Sequence, residues 1–311
     1  MRATKTAIRD ADIATDAKAG ATDAKAGARD AKAGATSSRE SLVPRRRLRA
    51  VILDWAGTTQ DFGSLAPVGA FVEAFARFGV AITVAQARGP MGIYKLDHIR
   101  AIAAYPEVAA MWLSVHGSAC GEDDVQAMYR ELVPIQEAVL PQFCALIPGT
   151  LEAVAEVRAR GYRVGSTTGY PRSVGEIAAR HAFEQGYEPE VMVCADEVPA
   201  GRPEPWMLLR AMEQLRVFPP YAVVKVGDTA ADIEEGLNAG TWTVGITGTG
   251  NYVGLDREQL ASLPADRKAE MILAAADKLR DSGAHYLIGS IADLPPVLDE
   301  IEVRLALGHR P

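Results

Sequence analysis

The sequence predicts an α/β fold, with a Rossmann-like parallel sheet core and an inserted helical cap domain. Apolar runs typical of buried strands alternate with helical patterns through the second half of the chain, while residues 83–144 show helical patterning without a convincing strand. Such alternation indicates parallel strands joined by right-handed crossovers. We therefore expect a disordered low-complexity tail at residues 1–47, the core at residues 48–64 and 146–311, and the cap at residues 65–145.

The first part of the chain repeats a seven-residue unit that lacks large apolar residues. The unit TDAKAGA occupies residues 15–21 and 22–28, and RDAKAGA follows at 29–35. Each unit contains a glycine, and alanine is its only repeating apolar residue type, so a solvated tail is expected rather than a coiled coil. The arginines at 45–47 suit a nucleic-acid or targeting patch, but such a run before a buried strand is more often a solvated boundary.

The first predicted strand is the apolar run Ala50–Leu53, which is followed by Asp54 and the chain-breaking sequence Ala56–Thr59. Such a run is typical of a parallel strand buried on both faces, so Asp54 lies at the carboxyl end of the strand. A helix should follow, because a proline suits its first turn, apolar residues share one face and a glycine ends it. These residues are Pro67, then Val68, Phe71, Val72, Phe75 and Phe78, and finally Gly79.

Helical periodicity continues through the cap and then alternates with strands. It predicts cap helices at residues 94–104, 107–116 and 123–139. Beyond the cap, the pattern predicts helices at 151–160, 173–185, 205–215 and 230–239, strands at 162–166, 191–195, 221–226 and 242–246, and a closing strand and helix at 286–288 and 294–305. The glycine-rich segment 245–250 lacks the spacing of a nucleotide-binding loop, and we expect an ordinary loop there.

Composition and charge narrow the class of protein. The chain has 311 residues, 48% hydrophobic and 23% charged, with a net charge of −7. A negative net charge disfavours partners such as nucleic acid or an anionic membrane, so we expect small molecules or protein chains. The three cysteines fit neither a disulfide framework nor a zinc signature, and no apolar run is long enough to span a bilayer. These observations favour a cytoplasmic protein.

Four polar segments fall at the carboxyl ends of predicted strands, where functional residues should gather. They are Asp54–Thr59, Ser166–Tyr170, Gly201–Pro205 and Val226–Asp232. Taken singly, each suits a helix cap, a turn or a solvated loop. Together they supply a carboxylate nucleophile, hydroxyl and backbone N–H groups for phosphate oxygens, a cation and further carboxylates for a metal ion. Phosphoryl transfer requires all of these groups.

In this order the four segments resemble the motifs of the haloacid dehalogenase superfamily, over about residues 50–305. The resemblance implies that Asp54 is the nucleophile and that Thr168, Gly169 and Arg202 bind the phosphate group.

The same resemblance implies Mg²⁺ as the cofactor. Its ligands would be Asp54, the backbone carbonyl of Ala56 and Asp228, with Asp232 just outside the ligand set. Such hard oxygen ligands suit this ion.

Ala56 departs from the pattern of the superfamily's phosphatases, which carry a second aspartate two residues after the nucleophile to protonate the leaving alkoxide. A lysine could replace that acid, because its amine condenses with an aldehyde to an iminium ion that accepts electrons when a carbon–phosphorus bond breaks. Residues 88–100 contain Lys95 and, with Ala56–Thr59 and Thr167–Tyr170, resemble the phosphonoacetaldehyde hydrolase family, or phosphonatases.

By this second resemblance Lys95 forms the Schiff base, while Met91, His98 and Tyr170 surround the substrate. From helical periodicity alone, the segment around Lys95 is an ordinary mixed surface. The resemblance also implies a homodimer formed through the cap domains.

We therefore expect a hydrolase that converts phosphonoacetaldehyde to acetaldehyde and phosphate through an Asp54 aspartyl-phosphate. The alternatives are a phosphomonoesterase or phosphomutase of the same superfamily, which Ala56 disfavours, and a non-catalytic phosphate-binding protein. The second alternative gives no chemical reason for Asp54, Thr168, Arg202 and Asp228 to occur together.

Overall fold

A computed structural model describes residues 47–311 of the chain. Its sheet has six parallel strands in the order β3-β2-β1-β4-β5-β6. The strands are β1 (Ala50–Leu53), β2 (Arg163–Thr168), β3 (Val191–Cys194), β4 (Val223–Gly227), β5 (Trp242–Ile246) and β6 (Tyr286–Ile288). The predicted α/β class with a parallel sheet is confirmed. The expected tail at residues 1–47 lies, apart from Arg47, outside the described residues.

Twelve α-helices accompany the sheet in the described part of the chain. They are α1 (Ala66–Arg77), α2 (Val84–Arg88), α3 (Lys95–Ala103), α4 (Pro106–His116), α5 (Glu122–Val139), α6 (Thr150–Ala159), α7 (Arg172–Glu184), α8 (Trp206–Leu215), α9 (Ala230–Ala239), α10 (Arg257–Ser262), α11 (Ala265–Asp281) and α12 (Leu294–Ala306). The sequence pattern did not predict α2, α10 or α11. Among the described helices, none is long and apolar enough to cross a membrane.

Helices α1 to α5, which lie between β1 and β2, form an apolar core of their own. Phe71 and Phe75 of α1, Ile99 of α3 and Met128 of α5 are fully buried in it. Of the face predicted for α1, Val72 and Phe78 are only half-buried. The sheet has separate cores on its two sides. This division fits an inserted cap, although the expected boundaries at residues 65–145 stay a prediction.

Strand register brings the polar strand ends together. Leu53, the last residue of β1, lies beside Ser166 of β2 on one side and Val226 of β4 on the other. The residues that follow therefore emerge at one level, at the centre of the sheet edge. In open parallel sheets, ligands bind in the crevice at this edge.

Candidate active site

A small cavity lies at the carboxyl ends of β1, β2 and β4, beneath the helices of the cap. Its volume is about 20 Å³, which is room for about one water molecule. The lining combines core residues with cap residues: Asp54, Ala56, Ser64, Pro67, Met91, Gly92, Lys95, Thr168, Gly169, Tyr170, Arg202, Asp228 and Thr229. Nine of the eleven predicted site residues are among them; His98 and Asp232 are not.

Asp54 is buried and lies beside a fixed cation. Its Oδ1 is 2.8 Å from Nη1 of Arg202, and only 6% of the residue is exposed. Burial and the neighbouring charge of Asp232 raise the pKa of Asp54 to about 6, against the lowering effect of Arg202 and Lys225. At neutral pH the carboxylate form is therefore still favoured, as a nucleophile requires.

Arg202 uses every side of its guanidinium group. Nε donates to Glu235 at 2.9 Å, and Nη2 donates to the carbonyl and hydroxyl of Thr167 at 2.9 and 2.8 Å. Nη1 contacts Asp54, lies 3.0 Å from Asp232, and donates to the Gly92 carbonyl of the cap. The group is therefore held in one plane, with Nη1 directed at the nucleophile.

Two buried charges below Arg202 were not predicted as part of the site. Lys225 and Glu235 are fully buried, with Nζ of Lys225 3.0 Å from both Glu235 and Asp232 and 2.7 Å from the Thr167 hydroxyl. The sequence does contain one indication of this pair. A lysine inside the apolar strand β4 should be buried, and a buried charge requires a partner of opposite charge. The sequence alone does not identify which carboxylate that partner is.

The carboxylates of Asp54, Asp228 and Asp232 offer oxygens within 4.8 Å of one another. With Glu235, they set four carboxylates against the two cations Arg202 and Lys225. If all four are ionised, they outnumber these two cations together with the protonated Lys95, and a metal cation would offset the excess. Burial and the charge of Asp54 raise the pKa of Asp228 well above its usual value, which reflects this excess.

The two acidic-motif residues differ in what surrounds them. Asp228 lines the cavity. Asp232 faces Arg202 and Lys225 with one oxygen and accepts from the Thr229 hydroxyl at 2.6 Å with the other. Burial raises the pKa of Asp232, but Arg202 and Lys225 outweigh burial and leave that pKa below its usual value. Asp232 is thus already paired, while Asp228 stays available to a metal ion.

Lys95 enters the cavity from the cap, as the first residue of α3. It is 3% exposed, and its Nζ lies 5.0 Å from the ring centre of Tyr170 and 5.8 Å from that of Phe71. Burial lowers the pKa of Lys95 to about 8, although the charge of Asp54 opposes the shift. The neutral amine is therefore much more available than in a solvated lysine.

The remaining predicted substrate residues fall into two groups. Met91 and Tyr170 line the cavity, and burial raises the pKa of Tyr170 well above its usual value, so its hydroxyl stays protonated. His98 instead packs on the ring of Phe71, with Nε2 2.8 Å from the Ala87 carbonyl. Burial, with a smaller effect from Lys95, lowers the pKa of His98 well below 6.5. His98 therefore lies behind Lys95, as a neutral ring.

The glycine-rich segment after β5 forms a loop, and it reaches the site. A Cβ on Gly250 would lie 2.4 Å from Cβ of Asp228. The backbone N–H of Asn251 donates to Oδ2 of Asp228 at 2.6 Å. No role was predicted for this loop. It contacts Asp228 only because β4 and β5 are neighbouring strands in the folded sheet.

Comparisons with known proteins agree on the family. Residues 48–240 match the family model of haloacid dehalogenase-like hydrolases. Phosphonoacetaldehyde hydrolase from Nitratidesulfovibrio vulgaris is 47% identical over 264 residues, 85% of this chain and 94% of the relative. The enzyme of the same name from Paraburkholderia phytofirmans is 44% identical over 266 residues, 86% of this chain and 100% of the relative.

A solved structure extends the likeness to three dimensions. The crystal structure of a phosphonoacetaldehyde hydrolase-like protein from Oleispira antarctica has a TM-score of 0.84 and 44% sequence identity to this chain. The match covers 85% of this chain and 96% of the other.

Proposed function

The chain belongs to the phosphonoacetaldehyde hydrolase family of haloacid dehalogenase-like hydrolases, and we propose that it hydrolyses phosphonoacetaldehyde to acetaldehyde and phosphate through a Lys95 Schiff base. One observation carries this proposal. The cavity holds a buried amine with a lowered pKa and a buried carboxylate, and Ala56 stands where an ester phosphatase needs its acid.

The first step is condensation of the Lys95 amine with the substrate aldehyde, which releases water and leaves an iminium ion. The lowered pKa of Lys95 supplies the neutral amine that attacks the carbonyl. The ring of Tyr170 lies 5.0 Å from Nζ of Lys95 and forms part of the cavity wall beside this reaction.

The second step breaks the carbon–phosphorus bond. Asp54 attacks phosphorus, and the electron pair of the broken bond moves into the iminium group, so that an enamine leaves without help from an acid. Arg202, fixed by Glu235 and Thr167, neutralises charge on the transferring group, and Thr168 and Gly169 bind its oxygens. The enamine is reprotonated and hydrolysed to acetaldehyde, while water hydrolyses the aspartyl-phosphate.

We assign Mg²⁺ to the cluster of carboxylates. Asp54, Asp228 and the backbone carbonyl of Ala56 would hold the ion, and Asp232 would stay paired with Arg202 and Lys225. The excess of negative charge and the hard oxygen donors both fit a divalent cation of this kind. When bound, the ion offsets the negative charge of the attacked phosphoryl group.

The cap must open for the substrate to enter, because the cavity now has room for about one water molecule. We further propose a homodimer formed through the cap domains. The exposed apolar side chains of Met111, Leu113 and Val115 on α4 support a contact there. The three cysteines form no disulfide, which supports a cytoplasmic location.

Borohydride trapping tests the proposal. Borohydride reduces imines, so its addition with phosphonoacetaldehyde should inactivate the enzyme and leave a two-carbon adduct on Lys95, while borohydride alone should do little. Lys95→Arg keeps the charge but cannot form the imine, and should lose C–P cleavage. Mass mapping of the modified peptide and a phosphate-release assay measure both outcomes.

Asp54→Ala serves as the matched control, because it should abolish turnover yet still trap on Lys95. Comparable cleavage by Lys95→Arg would overturn the mechanism. Fast turnover of simple phosphate esters would favour the phosphomonoesterase or phosphomutase alternative. An adduct on Lys225 would support the Schiff-base mechanism but would assign it to Lys225 instead of Lys95.

A further inference from the structure

Arg88, the last residue of α2, joins the cap to two segments outside it. Its Nη1 donates to the carbonyls of Gly63 and Ser64, at 3.0 and 3.3 Å, in the segment that leads into α1. The same Nη1 donates to Oδ1 of Asn251 at 2.9 Å, and Nη2 donates to the Gly254 carbonyl at 3.2 Å, both in the loop after β5. One cap side chain therefore fixes that loop.

Asn251 links this contact to Asp228. It is 2% exposed, and its Nδ2 donates back to the Arg88 carbonyl at 3.3 Å while its backbone N–H donates to Oδ2 of Asp228 at 2.6 Å. A Cβ on Gly254 would lie 2.8 Å from Cζ of Arg88. The close packing of guanidinium, loop and carboxylate leaves little freedom for any of the three.

We propose that Arg88 and Asn251 are positioning residues that hold the Asp228 carboxylate in place for the metal ion when the cap is closed. Opening the cap would separate Arg88 from the loop, loosen Asn251 and release the hydrogen bond that orients Asp228. Metal binding and cap closure then favour each other, since linkage between two equilibria is reciprocal. This inference rests on the proposed function for the metal site and the moving cap.

A double-mutant cycle tests it through Mg²⁺ binding, measured by calorimetry without substrate. Arg88→Met removes the N–H donors, and Asn251→Ala removes the side-chain contacts but keeps the backbone N–H. Each should weaken Mg²⁺ binding by about 10- to 100-fold, as loss of a partner outside the ligand set usually does. Because both act through one link, the double variant should bind Mg²⁺ about as weakly as either single variant.

Arg77→Met is the matched control, because Arg77 is a cap arginine that pairs with Glu73 and Glu131 at the surface. It should bind Mg²⁺ like the wild type. If Arg88→Met does not fold, as judged by its melting transition in chelator, Arg88→Lys replaces it; a single ammonium cannot reach all these oxygens, so weakened binding is still expected.

If Arg88→Met bound Mg²⁺ with wild-type affinity, or if the effects of the two substitutions were additive, the positioning role would be wrong but the metal assignment would stand. Absence of Mg²⁺ binding in the wild type would overturn the metal assignment and this inference with it. Borohydride trapping on Lys95 is independent of both results, because imine formation does not use the metal.

Discussion

Lys95 combines burial with nearby carboxylates, and its protonation should control the rate. Its pKa is about 8, and only the neutral amine attacks an aldehyde. We expect kcat/KM to fall by about tenfold per pH unit below that pKa and to level off above it. Steady-state kinetics from pH 6 to 9 check this, and the rate of borohydride trapping should follow the same curve. A flat profile would show that Lys95 is not the titrating nucleophile.

Single residues at strand ends were predictable, while their partners were not. Asp54 and Asp228 each follow an apolar run, so the pattern alone placed them at one edge of the sheet. His98 lies three residues after Lys95, yet it packs on Phe71 and does not line the cavity. A helical repeat shows which side chains share a face but not how far along that face the cavity extends.

The segment between α2 and α3 packs with its backbone directly against Gly169, the residue after β2. A Cβ on Gly169 would lie 2.7 Å from the Ile93 carbonyl and 2.9 Å from that of Gly92. Gly169→Ala should therefore displace this segment and lower kcat/KM by about tenfold or more, since small misplacements are costly in catalysis. The melting temperature should change little, because β2 itself is undisturbed.

Gly69→Ala is the control for that prediction. Gly69 lies in α1 with open space around it, so alanine should preserve activity and stabilise the helix by up to about 1 kcal/mol. Kinetics and thermal melting of both variants separate the two effects. If Gly169→Ala were as active as the wild type, close contact between Gly169 and the segment joining α2 and α3 would not be required for turnover.

Elements with a strong apolar repeat were predicted well, and weakly patterned ones were missed. The predicted ranges for α9 and β5 agree with the structure. The long helix α11 was not predicted: it fully buries only Ala275 and Leu279, while Met271 and Ile272 are half-buried and Leu273 is exposed. Its apolar residues are concentrated at 271–276 and do not recur at helical spacing along its whole length, so the pattern does not distinguish this segment as an amphipathic helix.

For the whole molecule, the N-terminal repeats should contribute neither activity nor stability. They contain no large apolar residue in the repeated unit, so they cannot build a packed core. Removing residues 1–45 should leave turnover and melting temperature nearly unchanged. Kinetics and calorimetry of the shortened chain, beside the full chain at equal protein concentration, check this. A large loss of either would show that the repeats stabilise the domain or the dimer.

The size of the cavity also bears on how much of the binding energy remains after the substrate has entered. The space beside Asp54 is about 20 Å³, which is room for about one water molecule. The phosphonate substrate, and later the aspartyl-phosphate with its attacking water, need more room than that, so cap and core must separate to accommodate each of them. The free energy gained from substrate contacts is therefore partly offset by the cost of displacing the cap, and an unreactive phosphonate analogue should bind more weakly than its contacts alone would give.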